Sequence, residues 1–427
     1  MKKIVLFCIL ALSLPAAPLL AQCPKLCDEG TMAPLFGEKL ENADFEEGMW
    51  AFNDENVLKS EKDSAIWTKE KYGSFVCSFE FKAPAGSNSG FMFHCTDKEN
   101  WVPNAIEIQL LDDCGKVPNY HSTGSFYGYQ APSEDASKEC GQWNKMVIVS
   151  IAQTVDIYLN GKQINHIDLS QWTDNKKGPN GTDIEEKFQG KSLARSTPYG
   201  YIGFQGKHGD DGITFRNAKI KRISCCTEGK KPELLFGKKL ENTQYNPEDW
   251  FVDASGIIKP LKDGAIFSKE KYKNFIYDLE FKNTQDANSG IIIKCSDRES
   301  WIPNSLEIQV ADNCQWPVDN TVCGAVYGHY TPLFNMCKPA GEWNHIQIVC
   351  KGDLITIFLN NELIVHMDKS LWTEKEKNPD GTGVRPWLIE HSPAELDNNG
   401  YLGLQGVHGS SAVFYRNVLI TRLDDTE

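Results

Sequence analysis

Two all-β domains in tandem, each a sandwich or jelly roll, are the architecture this sequence predicts. Three observations carry that reading. One unit of about 200 residues occurs twice, each copy is filled with short alternating polar and apolar runs between turn signals, and no long stretch has convincing helical periodicity.

The duplication is visible along the whole chain. LFGEKLEN at 35–42 returns as LFGKKLEN at 235–242, and TKEKY at 68–72 as SKEKY at 268–272. WVPNAIEIQ at 101–109 returns as WIPNSLEIQ at 301–309, identical at six of nine positions. GFQGKHG at 203–209 returns as GLQGVHG at 403–409, and Phe215-Arg216-Asn217 as Tyr415-Arg416-Asn417. The offset stays at 200, which means tandem domains and not a solenoid, whose units run about 20–50 residues. The boundary falls in CCTEGKKPE at 225–233, giving expected domains at 22–229 and 230–427. A linker that short implies contact between the domains.

Residues 1–21 read as a secretory signal peptide: Lys2 and Lys3, then an apolar run from Ile4 to Leu14, then small residues and prolines. That run is shorter than the roughly 20 residues needed to span a membrane, and no later segment is a candidate. Such a leader implies that the mature chain is exported, to a periplasm or the cell surface. Leu20-Ala21-Gln22-Cys23 resembles a lipoprotein box except at Gln22, so lipid attachment at Cys23 is the alternative to simple cleavage after Ala21. Losing Cys8 leaves 13 of the 14 cysteines in an oxidising compartment, where disulfides are expected. Cys23 or Cys27 with Cys225 or Cys226 would staple the ends of the first copy. A bridge involving Cys95 and Cys114 would recur at Cys295 and Cys314. The net charge of −14 repels phosphate backbones and argues against a nucleic-acid partner.

Within the first copy, strands are expected at 75–83, 90–95, 105–111, 146–152, 155–167, 201–206 and 213–223. The 155–167 run is split by an Asn160-Gly161 hairpin signal. Period two assigns the faces. Ile106, Ile108 and Leu110 point to the core, while Glu107 and Gln109 point away from it. Ile202 and Phe204 point inward, while Tyr201 and Gln205 share the outer face, and His208 follows at the strand end. The second copy repeats this with Glu307, Gln309, Gln405 and His408. Solvent-facing polar residues are common, but Trp101 and Trp301 flank these strands. An aromatic ring beside carboxylate and amide groups on a curved sheet suits a sugar, whose C–H face stacks and whose hydroxyls are hydrogen-bonded. Trp143, Trp343, His166 and His366 read as structural.

In order and spacing these motifs resemble the bacterial 3-keto-disaccharide hydrolase domain family, a concanavalin-like jelly roll. The match runs through LFGEKL with Trp50, Asn88-Ser89-Gly90, Glu107-Ile108-Gln109 with Asp112-Asp113, Phe126-Tyr127-Gly128, Gly141-Gln142-Trp143-Asn144, Leu159-Asn160-Gly161, Gly203 to Gly209 and Phe215-Arg216-Asn217, and nearly all of it recurs in the second copy. There are departures. The family's Arg after the NSG motif is His94 here and Lys294 in the second copy. The acidic pair becomes Asp312-Asn313, and a loop His is present as His121 while the second copy has Cys323 near that point.

The resemblance implies two tandem concanavalin-like jelly-roll β-sandwiches and an exported enzyme acting on 3-keto-glycosides or 3-keto-disaccharides. A ketone at C3 of a glucosyl unit acidifies the C2 proton; a base removes it, the enolate expels the C1 oxygen, and water adds to the enone. Glu107, His208, Glu307 and His408 are the candidate acid–base groups, with His208 favoured as the base and Glu107 as its orienter or as a hydroxyl acceptor, although a Glu raised by burial can also serve as base. Asn88, His94, Trp101, Gln109, Asp112, Tyr127 and Gln205 are candidate substrate contacts, with Asn288, Lys294, Trp301, Gln309, Tyr327 and Gln405 in the second copy. A conventional glycosidase needs two carboxylates across one bond, and only Asp112 offers itself as a second. No cofactor is expected; a divalent metal on Glu, Gln, Asp and His ligands is the alternative, although no compact metal motif is present. The competing reading is a non-catalytic carbohydrate-binding protein, since jelly rolls host both.

Overall fold

A computed structural model describes residues 31–190, 192–208, 211–225, 229–409 and 411–423. The expected leader 1–21, together with Cys23, Cys27 and Cys226, lies outside them. The chain divides into two compact units, one ending at Ile223 and the other resuming at Ser224.

The strands of unit one are β1 Ala33–Pro34, β2 Ala43–Asp44, β3 Trp50–Phe52, β4 Leu58–Ser60, β5 Ile66–Thr68, β6 Phe75–Lys82, β7 Asn88–Cys95, β8 Ile106–Leu111, β9 Trp143–Ile151, β10 Thr154–Leu159, β11 Lys162–Asp168, β12 Tyr201–Phe204 and β13 Thr214–Arg222. An eight-stranded antiparallel sheet runs β11-β10-β9-β6-β13-β4-β3, with β1 on β13; a five-stranded sheet runs β2-β5-β12-β7-β8. Unit two repeats the plan with β14 Glu233–Leu234, β15 Thr243–Gln244, β16 Trp250–Val252, β17 Ile258–Pro260, β18 Ile266–Tyr272, β19 Phe275–Asn283, β20 Asn288–Cys295, β21 Leu306–Ala311, β22 Asn344–Lys351, β23 Leu354–Leu359, β24 Glu362–Asp368, β25 Gly400–Leu404 and β26 Val413–Arg422. Its sheets have the same sizes and corresponding strand order. Each unit is a jelly-roll β-sandwich.

The core lies between the two sheets of each unit. In unit one it is aromatic: Phe79, Phe91, Phe204 and Phe215 are fully buried, and Phe204 stacks on Phe215 with ring centroids 4.0 Å apart. Burying such a ring contributes about 1.5–3 kcal/mol. The alternation read for β8 and β12 is the one that fills this core with Ile106, Ile108, Leu110, Ile202 and Phe204. The Asn160-Gly161 turn joins β10 to β11, both residues with positive φ, as a type I′ turn requires. His166 hydrogen-bonds Asp156 at 2.6 Å, and His366 faces the Thr356 hydroxyl at 3.0 Å, in keeping with structural roles.

The bridge expected between Cys95 and Cys114 is not formed. The β7–β8 register pairs Phe93 with Ile106 and Asn88 with Leu111, so the two cysteines follow opposite ends of the hairpin. Cys95, Cys114, Cys295 and Cys314 are free thiols. No helix among the described residues is long and apolar enough to cross a membrane.

Candidate active site

The outer face of the five-stranded sheet carries the site, and strand register builds it row by row. Glu107 pairs with Met92 on β7, Met92 with Gly203 on β12, and Gly203 with Trp67 on β5. On the other side of β8, Ile108 bridges Phe126 and the Tyr127 N–H donates to the Glu107 carbonyl, so Tyr127 is the cross-strand neighbour of Glu107. The next row holds Gln109 opposite Gly90, with the Gln205 N–H donating to the Gly90 carbonyl. Beyond it Asn88 pairs with His208, and the Gln109 amide donates to Asn88 Oδ1 at 2.8 Å.

At the centre of this face Gly90 and Gly203 make room for the side chains of their neighbours. A Cβ on Gly90 would overlap the Glu107 carboxylate; one on Gly203 would overlap the Trp67 ring and the Ile66 carbonyl. The Glu107 carboxylate therefore leans across the sheet into space that only glycine leaves open. Burial pushes Glu107 up to about 7, opposed in part by the positive charge of Lys187 and then by His208. The side chain is poised to exchange a proton near neutrality. His208 is half-exposed, with its Nδ1 3.1 Å from Asp63 Oδ2.

One wall is aromatic and cationic. Lys187, from a 3₁₀ turn at Glu186–Phe188, sets Nζ 3.2 Å from the Tyr127 hydroxyl, 4.4 Å from its ring centroid and 3.4 Å from Glu185. His121 Nε2 meets the other Glu185 oxygen at 2.9 Å. Trp101 lies on the same outer face, half-buried against Trp67 with Met92, Cys95, Ala105 and Tyr201.

Glu107, Gln109, Asn88, Gln205, His208 and Tyr127 thus come together, with Trp101 further along the face. Two expected contacts do not join them. Parity along β7 places His94 outward with Gly90 and Met92, but His94 has a φ of 51° and Lys294 one of 54°. That kink turns each side chain inward. His94 packs against Phe93 and Phe75, with Nε2 facing the Gly73 carbonyl and Ser150 hydroxyl, and burial lowers it to about 4. Lys294 is buried, donating to the Gly352 carbonyl and Asn398. Asp112 is also elsewhere: past the end of β8 its carboxylate accepts from the Gly86 N–H at 3.1 Å, so it is not a second carboxylate beside Glu107.

Sequence reading did not single out Lys187, Glu185, Asp63 or Trp67. Lys187 and Glu185 become Trp387 and Arg385 in the second copy, so the repeat that flagged the other residues passed over them. Trp67 lies outside every strand expected from the sequence, and no motif sets Asp63 apart from the chain's other acidic residues.

In unit two Glu307 leans over Gly290 as Glu107 does over Gly90, and burial pushes it up to about 7. Gln309, Gln405, Asn288 and His408 hold the corresponding register, and His408 Nδ1 lies 3.4 Å from Asp263. Tyr327 donates its N–H to the Glu307 carbonyl, and Trp301 packs with Phe267, Ile292, Cys295 and Tyr401. Among the described residues, no cluster of three or more His, Cys, Asp or Glu side chains is placed to hold a metal ion.

A family model for the 3-keto-alpha-glucoside-1,2-lyase-like domain matches residues 32–221 and again 231–421. A 3-keto-disaccharide hydrolase of Bacteroides thetaiotaomicron is 25% identical over 216 residues, spanning 44% of this chain and 73% of that protein. Among solved structures, a candidate glycosyl hydrolase from Parabacteroides distasonis is 40% identical, covering 45% of this chain and 100% of that one, with a TM-score of 0.44. A second from the same organism is 22% identical, covering 46% and 97%, with a TM-score of 0.37.

Proposed function

The chain belongs to the 3-keto-alpha-glucoside-1,2-lyase-like family, which it matches once in each unit, and on that footing we propose that it cleaves 3-keto-glycosides by elimination followed by hydration. The observation that carries the reading is the Glu107 carboxylate, raised to about 7 by burial and leaning over Gly90 among amide side chains, while the other carboxylates of the wall are taken up by cationic partners, Glu185 by Lys187 and His121 and Asp63 by His208. Direct displacement at a glycosidic carbon uses two carboxylates. Proton abstraction α to a ketone uses one base near the ambient pH and donors for the developing enolate.

In this scheme the sugar lies beside the Glu107 carboxylate, between Tyr127 and the Trp101 end of the face. Glu107 takes the C2 proton, the C2–H electron pair forms the enolate, and its collapse expels the C1 oxygen. His208, as the imidazolium with Nδ1–H on Asp63, gives its Nε2 proton to the departing oxygen. Gln205 holds a ring hydroxyl, and the buried Gln109 orients Asn88 beside it. The burial of Glu107 and the half-exposed place of His208 at the rim support Glu107 as the base, in place of the His208 favoured from the sequence. Export to the periplasm or cell surface is part of the proposal and rests on residues 1–21 alone. A catalytically silent carbohydrate-binding protein is the rival reading.

The deciding experiment incubates the purified chain with a 3-keto-α-glucoside and with the unoxidised glucoside. Release of enone or keto-sugar from the first only, slowed when C2 carries deuterium, is the expected result. Binding of both without turnover would give the rival reading first place.

A further inference from the structure

The two units share Glu, Gln and His but differ at the wall. In unit one the Lys187 ammonium hangs over the Tyr127 ring, and Tyr127 stands beside Glu107 in the same cross-strand row. Its position is held from both sides: the Tyr127 hydroxyl at 3.2 Å and Glu185 at 3.4 Å, with Glu185 itself engaged by His121 at 2.9 Å. A lysine on a flexible stem is seldom fixed by so many partners without loss of rotamer freedom. In unit two the position is Trp387, which is exposed, and the Glu185 and His121 positions are Arg385 and Thr321.

Resting on the elimination reading above, we infer that Lys187 is a catalytic residue of unit one, donating to the 3-keto oxygen as it becomes an enolate, and that unit two, with Trp387 in its place, holds sugar with little turnover. The lysine makes and breaks no covalent bond. The C2 proton passes to Glu107, the electron pair becomes the C2=C3 bond, and charge appears on the oxygen that Lys187 faces. When C3=O re-forms, C1=C2 forms and the C1 oxygen departs with the proton that the His208 imidazolium gives it from Nε2. A cation preplaced in this way, although its side chain is 42% exposed, favours this charge more than the ground-state ketone. Glu107 is faced by Lys187 from the 186–188 turn, His208 from beyond β12, Tyr127 from the 126–127 segment, and the neutral Gln109 and Gln205. Only the first two lower its proton affinity. In unit two burial alone acts on Glu307.

The test uses the full chain and a 3-keto-α-glucoside, comparing wild type, Lys187→Met, Lys187→Arg and Glu107→Gln across pH. Lys187→Met should lower kcat by about 10²–10³, the usual loss for one oxyanion donor, with KM little changed. The acid limb of its pH profile should move to higher pH, because the cation opposing Glu107 protonation is gone. Lys187→Arg should recover part of kcat and return the limb. In Glu107→Gln, unit two is the remaining site, and turnover should fall about 10²-fold or more. Wild-type-like kcat in Lys187→Met overturns the inference, as does a loss of activity with an unmoved acid limb and a lowered Tm, which marks a structural lysine. Near-normal turnover in Glu107→Gln overturns it too. A wild-type chain that does not turn over the keto-sugar removes the elimination reading itself, an outcome distinct from all of these.

Discussion

Ionising Glu107 or Glu307 costs free energy that the unfolded chain does not bear. Both rise from 4.5 to about 7 on folding, through burial. Between those values the folded state keeps a proton that the unfolded state has released. Stability therefore falls as pH rises from about 4.5 to 7 and levels off above. Glu107→Gln should raise Tm by a few degrees at pH 8 (~2–4 °C per kcal/mol in a domain of this size) and change it little at pH 4.5. Scanning calorimetry at the two pH values checks this. The same substitution should lower kcat by about 10²–10⁴, so stability and activity move in opposite directions. A joint loss of both would mean Glu107 is a structural residue. Wild-type activity should rise with pH through about 7, where the carboxylate ionises.

At the scale of elements, the two glycines at the centre of the face separate site from scaffold. Gly90 is opposed by the mobile end of Glu107, so Gly90→Ala should fold nearly normally while displacing the carboxylate. A displacement of about 1 Å costs on the order of 10²-fold in rate. Gly203 is opposed by the Ile66 carbonyl and the Trp67 ring. Neither can move without opening the β5–β12 pairing, so Gly203→Ala should cost about 1–3 kcal/mol, the range for overpacking. Denaturant melts alongside kcat distinguish the two. Strands β6 to β13 were legible because their alternation and the Asn160-Gly161 turn are local signals. The two- and three-residue strands β1 to β5 were not, because they are too short to show a period and form only against partners distant in sequence. The inward turn of His94 was hidden for a related reason: a positive φ at one strand residue reverses parity, and no neighbouring residue announces it.

At the scale of the whole molecule, each unit closes its own sandwich, so each should fold alone. Segments 22–229 and 230–427, expressed separately, should each unfold cooperatively with a dispersed amide spectrum; two insoluble halves would contradict this. The duplication, the all-β class, and the face carrying Glu107, Gln109 and Gln205 were all readable from the sequence by itself. They depend on period two and on a constant offset of 200, which are properties of residues close in the chain or copied within it. Tertiary structure decided the rest of the site. It removed His94 to the interior and Asp112 to the Gly86 loop, and it brought Lys187 to Tyr127 across 60 residues of sequence. Such contacts arise from loops crossing an edge strand, and no local pattern encodes where a loop side chain comes to rest. The second copy also substitutes Lys187, so the repeat carried no trace of it.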